Sequence, residues 1–156
     1  MRPVVKQLSE CPEHLTTVGT WIYDQWWSRR HPSAEVVFAL LRTHTIRDRV
    51  PLTIVALADG IPIGSCSVLE NDCIHRPQYT PWVGAVFVTP ELRKNGVASA
   101  MLQEAATIAT RSGLAGLYID CLVQTAHVYE KNGWRIHERE VGDKESVVMF
   151  RTTSAR

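Results

Sequence analysis

A short basic segment between an apolar run and a helical pattern is the first sign of a binding site in this sequence. Residues 93–98 read Arg-Lys-Asn-Gly-Val-Ala, and the helical pattern begins at Gly96. A helix N-terminus carries unpaired N–H groups and a partial positive charge, so it binds anions. Gly96 and Ala98 are small enough to admit a phosphate, and Arg93 and Lys94 add positive charge. The segment predicts a pyrophosphate site, although the GxxxxGKS/T and GxGxxG patterns are both absent.

The cysteines and histidines do not form a recognisable metal site. Cys11 and His14 make one isolated pair and Cys73 and His75 another, and neither has a partner pair at zinc-site spacing. Cys121 could carry an acyl group, but no His–Asp arrangement at matching spacing supports a nucleophilic cysteine. We therefore expect the cysteines to be reduced thiols packed within the protein, and we expect no bound metal.

Length and periodicity predict one mixed α+β domain over residues 1–156. The chain of 156 residues has the size of a single domain. Strands are expected where apolar and β-branched residues run together, at 4–8, 52–58, 63–69, 82–88, 117–122, 134–139 and 147–151. Helical spacing is found at 9–27, 34–46, 96–112 and 125–132. Asp59-Gly60 predicts a hairpin between the second and third strands. One helical crossover is expected near the centre of the sheet.

Charge and hydropathy exclude several other classes of protein. Lys and Arg total 17 against 16 Asp and Glu, a net charge of +1, whereas dedicated nucleic-acid binders are more basic. The N-terminal residues lack the apolar core of a signal peptide, and no apolar run approaches the length of a membrane span. We expect a cytoplasmic protein with no membrane partner, and the near-neutral net charge argues against a nucleic-acid partner.

Two motifs resemble those of the GCN5-related N-acetyltransferase (GNAT) family. Arg93-x-x-Gly96-Val97-Ala98, after a strand that ends at Pro90, is similar to the coenzyme A signature of that family. The segment 129–134, Tyr-Glu-Lys-Asn-Gly-Trp, is similar to a second family motif. The predicted order of elements also matches the family over residues 4–151. The resemblance implies the GNAT fold, a mixed and mostly antiparallel sheet flanked by helices.

The resemblance implies acetyl-CoA as cosubstrate and places it on one strand and one loop. The backbone of the fourth predicted strand would bind the pantetheine arm as an added strand, and the amides of the following loop would hold the pyrophosphate. The residues concerned are Val86, Phe87, Val88, Arg93, Lys94, Asn95, Gly96, Val97, Ala98 and Ser99. Two positions depart from the family pattern: Ala98 replaces a second glycine, and Gln124 lies where many members have an asparagine.

The resemblance also implies a catalytic role for Tyr129 as proton donor to the leaving thiolate, with a strand N–H near Val88 supporting the oxyanion. The base is less directly indicated, because the strand 82–88 contains no carboxylate. Glu70 and Asp72, at the end of the preceding strand, are the nearest acids by topology, and Asp120 is a further candidate. For each of these acids, an ordinary solvated carboxylate is the alternative interpretation.

The sequence therefore predicts an acetyl-CoA-dependent N-acetyltransferase that acts on a primary amine of a small molecule or peptide by direct attack. A tRNA- or protein-directed acetyltransferase is one alternative. Its support is a concentration of basic residues early in the chain, Arg29, Arg30, Arg42, Arg47 and Arg49, beside His31 and His44. A non-catalytic acyl-CoA-binding module is another. The oligomeric state stays open, and a homodimer is compatible with the sequence.

Overall fold

The computed structural model describes residues 2–153, which form a seven-stranded sheet with helices on both faces. The strands are β1 (Val4–Gln7), β2 (Leu52–Ala58), β3 (Ile61–Leu69), β4 (Trp82–Val88), β5 (Gly116–Leu122), β6 (Arg135–Arg139) and β7 (Ser146–Thr152). The helices are α1 (Leu15–Ile22), α2 (Glu35–Leu41), α3 (Val97–Arg111) and α4 (Ala126–Glu130). The strand order is β1-β2-β3-β4-β5-β7-β6. Among the strands of residues 2–153, only β4 and β5 are parallel neighbours, which confirms the expected mixed, mostly antiparallel sheet.

The first hairpin and the central strands form where the sequence predicts them. β2 and β4 have the predicted bounds, as expected for runs rich in β-branched residues. Asp59 and Gly60 link β2 to β3 with φ angles of 51° and 78°, the positive values that tight hairpin turns use. β3 begins at Ile61 and not at residue 63, because pairing with Ala58 continues the ladder to the turn.

The first helix begins later than the sequence predicts. Two 3₁₀ turns, Leu8–Glu10 and Pro12–His14, replace the start of the helix predicted over 9–27. Pro12 lacks an N–H and its ring clashes with the preceding turn, so an α-helix cannot run through this position. Leu8 belongs to the first 3₁₀ turn, and β1 is correspondingly one residue shorter than predicted.

The end of the first helix is also irregular. Residues Tyr23–Trp27 form a π-helical turn after α1, closed by a 2.8 Å hydrogen bond from the Ser28 N–H to the Tyr23 carbonyl. A π-turn shifts the side chains that follow it around the helix axis, and such turns are frequent at functional sites. Trp26 and Trp27 both lie in this turn, and Trp26 is 40% exposed.

The second helix ends at Leu41, five residues before the predicted end of the helix 34–46. Its start is one residue later than predicted, at Glu35, whose N–H donates to the Ser33 hydroxyl at 3.2 Å. Beyond Leu41, the Thr43 hydroxyl donates to the Leu40 carbonyl at 2.6 Å. A threonine side chain that bonds to the backbone in this way competes with continuation of the helix.

The last two helices end before glycines, as predicted. Gly113 follows α3 with a φ of 75°, and Gly133 follows α4 with a φ of 87°. Residues with a Cβ rarely adopt these left-handed values, so glycine favours the end of a helix. α4 is shorter than the predicted helix 125–132.

Each face of the sheet carries a hydrophobic core. α3 packs through Met101 and its neighbours on one face, and α1 packs through Val18 on the other, beside α2. Side chains of β2 alternate between the two cores, since Ile54 belongs to the α3 core and Val55 to the α1–α2 core. Within residues 2–153, no helix combines the length and the apolar character needed to cross a bilayer.

Candidate active site

The sheet opens between its two parallel strands. β4 and β5 are each seven residues long, but the only paired position between them is Trp82 with Tyr118. β4 is held by β3 on its other side, and β5 by β7, so the two halves of the sheet separate beyond this pair. Backbone groups of β4 that face the gap have no strand to pair with, and buried backbone groups require partners. An extended ligand with amide groups fits this edge.

A β-bulge in β4 lies at the same gap. Ser65 pairs with Phe87 and Ser67 with Gly84, so Ala85 and Val86 together oppose a single residue of β3. Ala85 has a φ of 52°, a left-handed value that is uncommon for a residue with a Cβ. Bulges bend a strand and change the direction of its side chains, and they are over-represented next to active sites. The bulge thus contributes to the opening of the sheet.

The loop before α3 is anchored to the end of β4. The Arg93 guanidinium turns back onto the strand, where Nε donates to the Val88 carbonyl at 2.9 Å and Cζ lies 5.8 Å from the centre of the Phe87 ring. Gly96 has a φ of 81° and caps α3, and a Cβ built on it meets nothing within 4 Å. Open space therefore lies in front of the first helical turn, whose N–H groups are unpaired. Backbone N–H groups therefore face open space at this helix start, and Lys94 is exposed beside it.

A cavity of about 470 Å³ lies between the bulged strand and the first helices. One wall comes from α1, the π-turn and α2, and the other from β3, β4 and β5. Tyr129 closes one side. The lining residues are Ile22, Trp26, Trp27, Arg30, Val37, Leu40, Leu41, His44, Ser67, Leu69, Asp72, Val83, Gly84, Ala85, Val86, Ile119, Asp120 and Tyr129.

Asp72 brings a carboxylate into this cavity. It packs on β4 so closely that a Cβ at Gly84 would lie 2.7 Å from one of its carboxylate oxygens. Crowding by the surrounding protein, and then the negative charge of Asp120, raise the pKa of Asp72 to about 6. Such a carboxylate is mostly ionised at neutral pH but is a stronger base than an ordinary aspartate.

Asp120 supplies a second carboxylate from β5. The pKa of Asp120 is raised above its usual value, mainly because partial burial disfavours the charged form. A hydrogen bond from the Cys73 thiol lowers this pKa, and the negative charge of Asp143 raises it. The lining contains two carboxylates, Asp72 and Asp120, against one cation, Arg30, so its net charge is negative and favours a cationic ligand.

Tyr129 presents a phenol to the cavity from α4. Its ring packs against Trp134 in a T-shaped arrangement, with ring centres 6.4 Å apart. Burial, and then the nearby thiols of Cys121 and Cys66, raise the pKa of Tyr129 to about 12. The hydroxyl therefore keeps its proton at neutral pH, in the form that a proton donor needs.

The remaining residues that the sequence singled out lie in different places. Glu70, at the end of β3, and Asp72 are both accessible to solvent, but Asp72 lines the cavity and Glu70 does not. His44 is 3% exposed, so it does not lie on the surface beside the early arginines. Arg47 pairs with Glu10 at 3.7 Å, which neutralises part of that basic region.

Sequence reasoning missed Gly84 and Ser67 as parts of the site. Gly84 makes room for the Asp72 carboxylate, and Ser67 lines the cavity from β3. Neither residue type suggests a role by itself, and the contacts that reveal them connect segments distant in the sequence.

The raised pKa of Asp72 predicts that Asp72→Asn stabilises the protein. The carboxyl loses its proton near pH 4 in the unfolded chain and near pH 6 in the folded protein. The stability cost of the charge is therefore absent below pH 4 and complete above pH 6. We expect Asp72→Asn to gain about 1 kcal/mol at pH 7.5, since water in the cavity weakens the full effect. Urea unfolding at pH 3.5 and 7.5 measures this, and an equal effect at both pH values would contradict it.

Comparison with known proteins identifies relatives by sequence model and by structure. Residues 11–134 match the model of the acetyltransferase (GNAT) family. A comparison with curated proteins finds no match. An aminoglycoside 6'-N-acetyltransferase complexed with coenzyme A superposes with a TM-score of 0.73 at 14% identity, covering 98% of each chain.

Two further solved structures are similar. A GNAT-family acetyltransferase from Streptococcus pneumoniae has a TM-score of 0.73 at 16% identity, and the superposition covers 98% of this chain and 100% of that one. A spermidine/spermine N-acetyltransferase from Vibrio cholerae has a TM-score of 0.71 at 20% identity, with 97% of this chain and 95% of that one covered. At these identities the superpositions establish a shared fold.

Proposed function

Because the chain belongs to the acetyltransferase (GNAT) family, an acetyl-CoA-dependent group, we propose that it transfers the acetyl group to a primary amine of a small molecule or peptide. The observation that carries the choice of an amine is the pair of carboxylates, Asp72 and Asp120, in the same cavity as Tyr129. An ammonium group is drawn to such a site, whereas a neutral alcohol is not. The aminoglycoside and spermidine/spermine acetyltransferases, by their names, also act on amines.

The gap between β4 and β5 and the loop before α3 fit the two parts of acetyl-CoA. The unpaired edge of β4 at Val86–Val88 suits the amides of the pantetheine arm, as the sequence predicts for an added strand. The backbone N–H groups from Lys94 to Ser99 suit the pyrophosphate, with open space in front of Gly96, whereas the Arg93 N–H already donates to the Pro90 carbonyl. Acetyl-CoA supplies the acetyl group and the thiol leaving group.

The acceptor amine is proposed to enter the cavity from the helical side. Trp26 and Trp27 provide aromatic surface, which also attracts cations. A primary ammonium has a pKa near 10.4 in water, so it must lose a proton before it attacks. Asp72, with a pKa of about 6, accepts that proton directly or through a water molecule.

Tyr129 is proposed to return a proton to the products. The amine nitrogen forms a bond to the acetyl carbonyl carbon, the carbon–sulfur bond breaks, and the departing thiolate takes the phenolic proton. Starting from the ammonium form, the nitrogen loses two protons: the first goes to Asp72 and from there to solvent, and the second leaves the acetylated nitrogen for the Tyr129 phenolate, which has given its own proton to the thiol.

Asp72→Asn is expected to lower kcat/KM for the best amine about tenfold at pH 7, less than a sole general base would, because Asp120 remains. In the wild type, kcat/KM should rise through about pH 6 as Asp72 ionises, and the variant should lose that part of the rise. The acetyl-CoA KM should change little. Initial rates between pH 5 and 9 measure these effects.

Glu70→Gln is the companion variant, since the sequence also puts forward Glu70 as a base. It removes a carboxylate that is exposed outside the cavity. A loss of rate in Glu70→Gln with none in Asp72→Asn would move the base to Glu70. Wild-type profiles in both variants would direct the next test to Asp120.

A coenzyme A release assay across amines, alcohols, polyamines and short peptides tests the proposed function as a whole. Turnover with at least one primary amine and none with the matched alcohols is the expected result. Acetyl-CoA binding without turnover of any acceptor would instead favour a non-catalytic acyl-CoA-binding module.

A further inference from the structure

Three polar side chains form a hydrogen-bonded chain in the wall of the cavity. His44 Nδ1 lies 2.9 Å from Thr53 Oγ1, which lies 2.8 Å from Ser67 Oγ. Thr53 is fully buried, and His44 and Ser67 are each 3% exposed. His44 and Ser67 line the cavity, whereas Thr53 lies behind them. Both ends of the chain therefore reach the cavity.

The two ends present complementary hydrogen-bonding groups. Burial lowers the pKa of His44, so its imidazole is neutral at neutral pH, with one N–H and one lone pair. If Nδ1 holds the proton, each bond runs towards Ser67, whose hydroxyl then offers a proton to the cavity while Nε2 offers a lone pair. The other tautomer reverses every bond, and the two ends exchange roles. Within residues 2–153, Nε2 has no hydrogen-bond partner.

A fully apolar ligand would cover these groups without satisfying them. The neighbouring surfaces of Ile22, Val37 and Leu41 are hydrophobic, so a bound acceptor expels water from this wall. A polar group that loses water without gaining a partner weakens binding about five- to 150-fold. An acceptor that bears a group able both to donate and to accept, such as a hydroxyl or an amide, avoids that loss.

We propose that the His44–Thr53–Ser67 chain selects acceptor amines that carry a second, uncharged polar group, a hydroxyl or an amide. This inference rests on the proposed function. Ser67 is the cross-strand partner of Gly84, on which the Asp72 carboxylate packs. Side chains at paired positions are about 5 Å apart. An acceptor that places its amine at Asp72 and its polar group at Ser67 therefore has two to four carbons between the two groups.

Matched pairs of small acceptors test the proposal. Ethanolamine, 3-aminopropanol and 4-aminobutanol are compared with propylamine, butylamine and pentylamine, which have the same numbers of heavy atoms. For at least one pair, the wild type should use the amino alcohol with a kcat/KM about tenfold or more above that of the alkylamine. Thr53→Val keeps the shape of the middle residue and breaks the chain, and Ser67→Ala removes one end. Ser67→Ala should bring the ratio to within about threefold of one, whereas Thr53→Val leaves both ends in the cavity wall and should lower the ratio less.

A purely structural role for the chain would change the Tm of the two variants and leave the ratio unchanged, which overturns the proposal. Equal use of amino alcohols and alkylamines by the wild type also overturns it, and this comparison does not depend on any variant folding. In that case the proposed function stands, because amines still turn over. If no amine in either series releases coenzyme A, the inference fails, and the proposed function fails with it only if the polyamines and peptides of the coenzyme A release assay are not acetylated either.

Discussion

Tyr129→Phe is expected to lower kcat by about 10²–10⁴-fold, the usual contribution of a general acid. The substitution keeps the ring, and with it the T-shaped contact to Trp134. It removes the hydroxyl, which burial keeps protonated by raising the pKa of Tyr129 to about 12. Single-turnover acetyl transfer measures the chemical step, and calorimetry should show acetyl-CoA affinity close to that of the wild type.

Tyr118→Phe is the matched control for this experiment. Tyr118 loses the same hydroxyl, but it lies at the closed end of the β4–β5 pair, outside the cavity. Its variant should react at the wild-type rate. If Tyr129→Phe slows the chemical step less than twofold, Tyr129 is a packing residue and the proton donor lies elsewhere.

Gly96→Asp is expected to weaken acetyl-CoA binding at least about a hundredfold, because it sets a negative charge and a side chain against the pyrophosphate. The space in front of Gly96 is open, so the new side chain meets no protein atom. The charge effect should weaken at high salt, as expected for exposed charges. Calorimetric titration with acetyl-CoA at two salt concentrations measures both effects.

Two further variants separate charge from backbone strain at Gly96. Gly96→Asn introduces a side chain of nearly the same size without the charge, and asparagine tolerates a left-handed φ comparatively well. We expect it to lose less than tenfold in affinity. Gly60→Asp places the same strain, at a φ of 78° and in open space, in the β2–β3 hairpin. It should bind acetyl-CoA as the wild type does, and unchanged affinity in a folded Gly96→Asp protein would refute the pyrophosphate site.

The sequence alone determined the order of elements, the mixed sheet and the family. The order of elements follows from local patterns: β-branched runs for β2 and β4, the Asp59-Gly60 turn, and the glycines that end α3 and α4. The family, and with it the mixed sheet, is indicated by the resemblance of the segments 93–98 and 129–134 to two family motifs. The loop 93–98 is equally local, since a strand, a glycine and a helix start are adjacent in the chain. The residues of each pattern lie close together in the sequence, so each pattern carries its own structural information.

The helix boundaries depended on interactions that a periodicity does not contain. Helix-entry signals at Ser9 and Pro12 predicted too early a start, and apolar spacing continued beyond Leu41, yet the missing N–H of Pro12 delayed the first α-helix and a threonine–carbonyl bond ended the second. Single-residue backbone chemistry prevailed over the sequence pattern at both places.

Only the tertiary structure distinguished between the acids. Glu70 and Asp72 are two residues apart and chemically alike, but the fold turns Asp72 onto Gly84, where it lines the cavity, and leaves Glu70 outside the cavity. The opening between β4 and β5 and the His44–Thr53–Ser67 chain are likewise contacts between distant segments. The pKa of a group and the composition of a cavity wall depend on the atoms that surround them in space. Strand pairing brings those atoms together from distant segments, so a single stretch of sequence does not determine them.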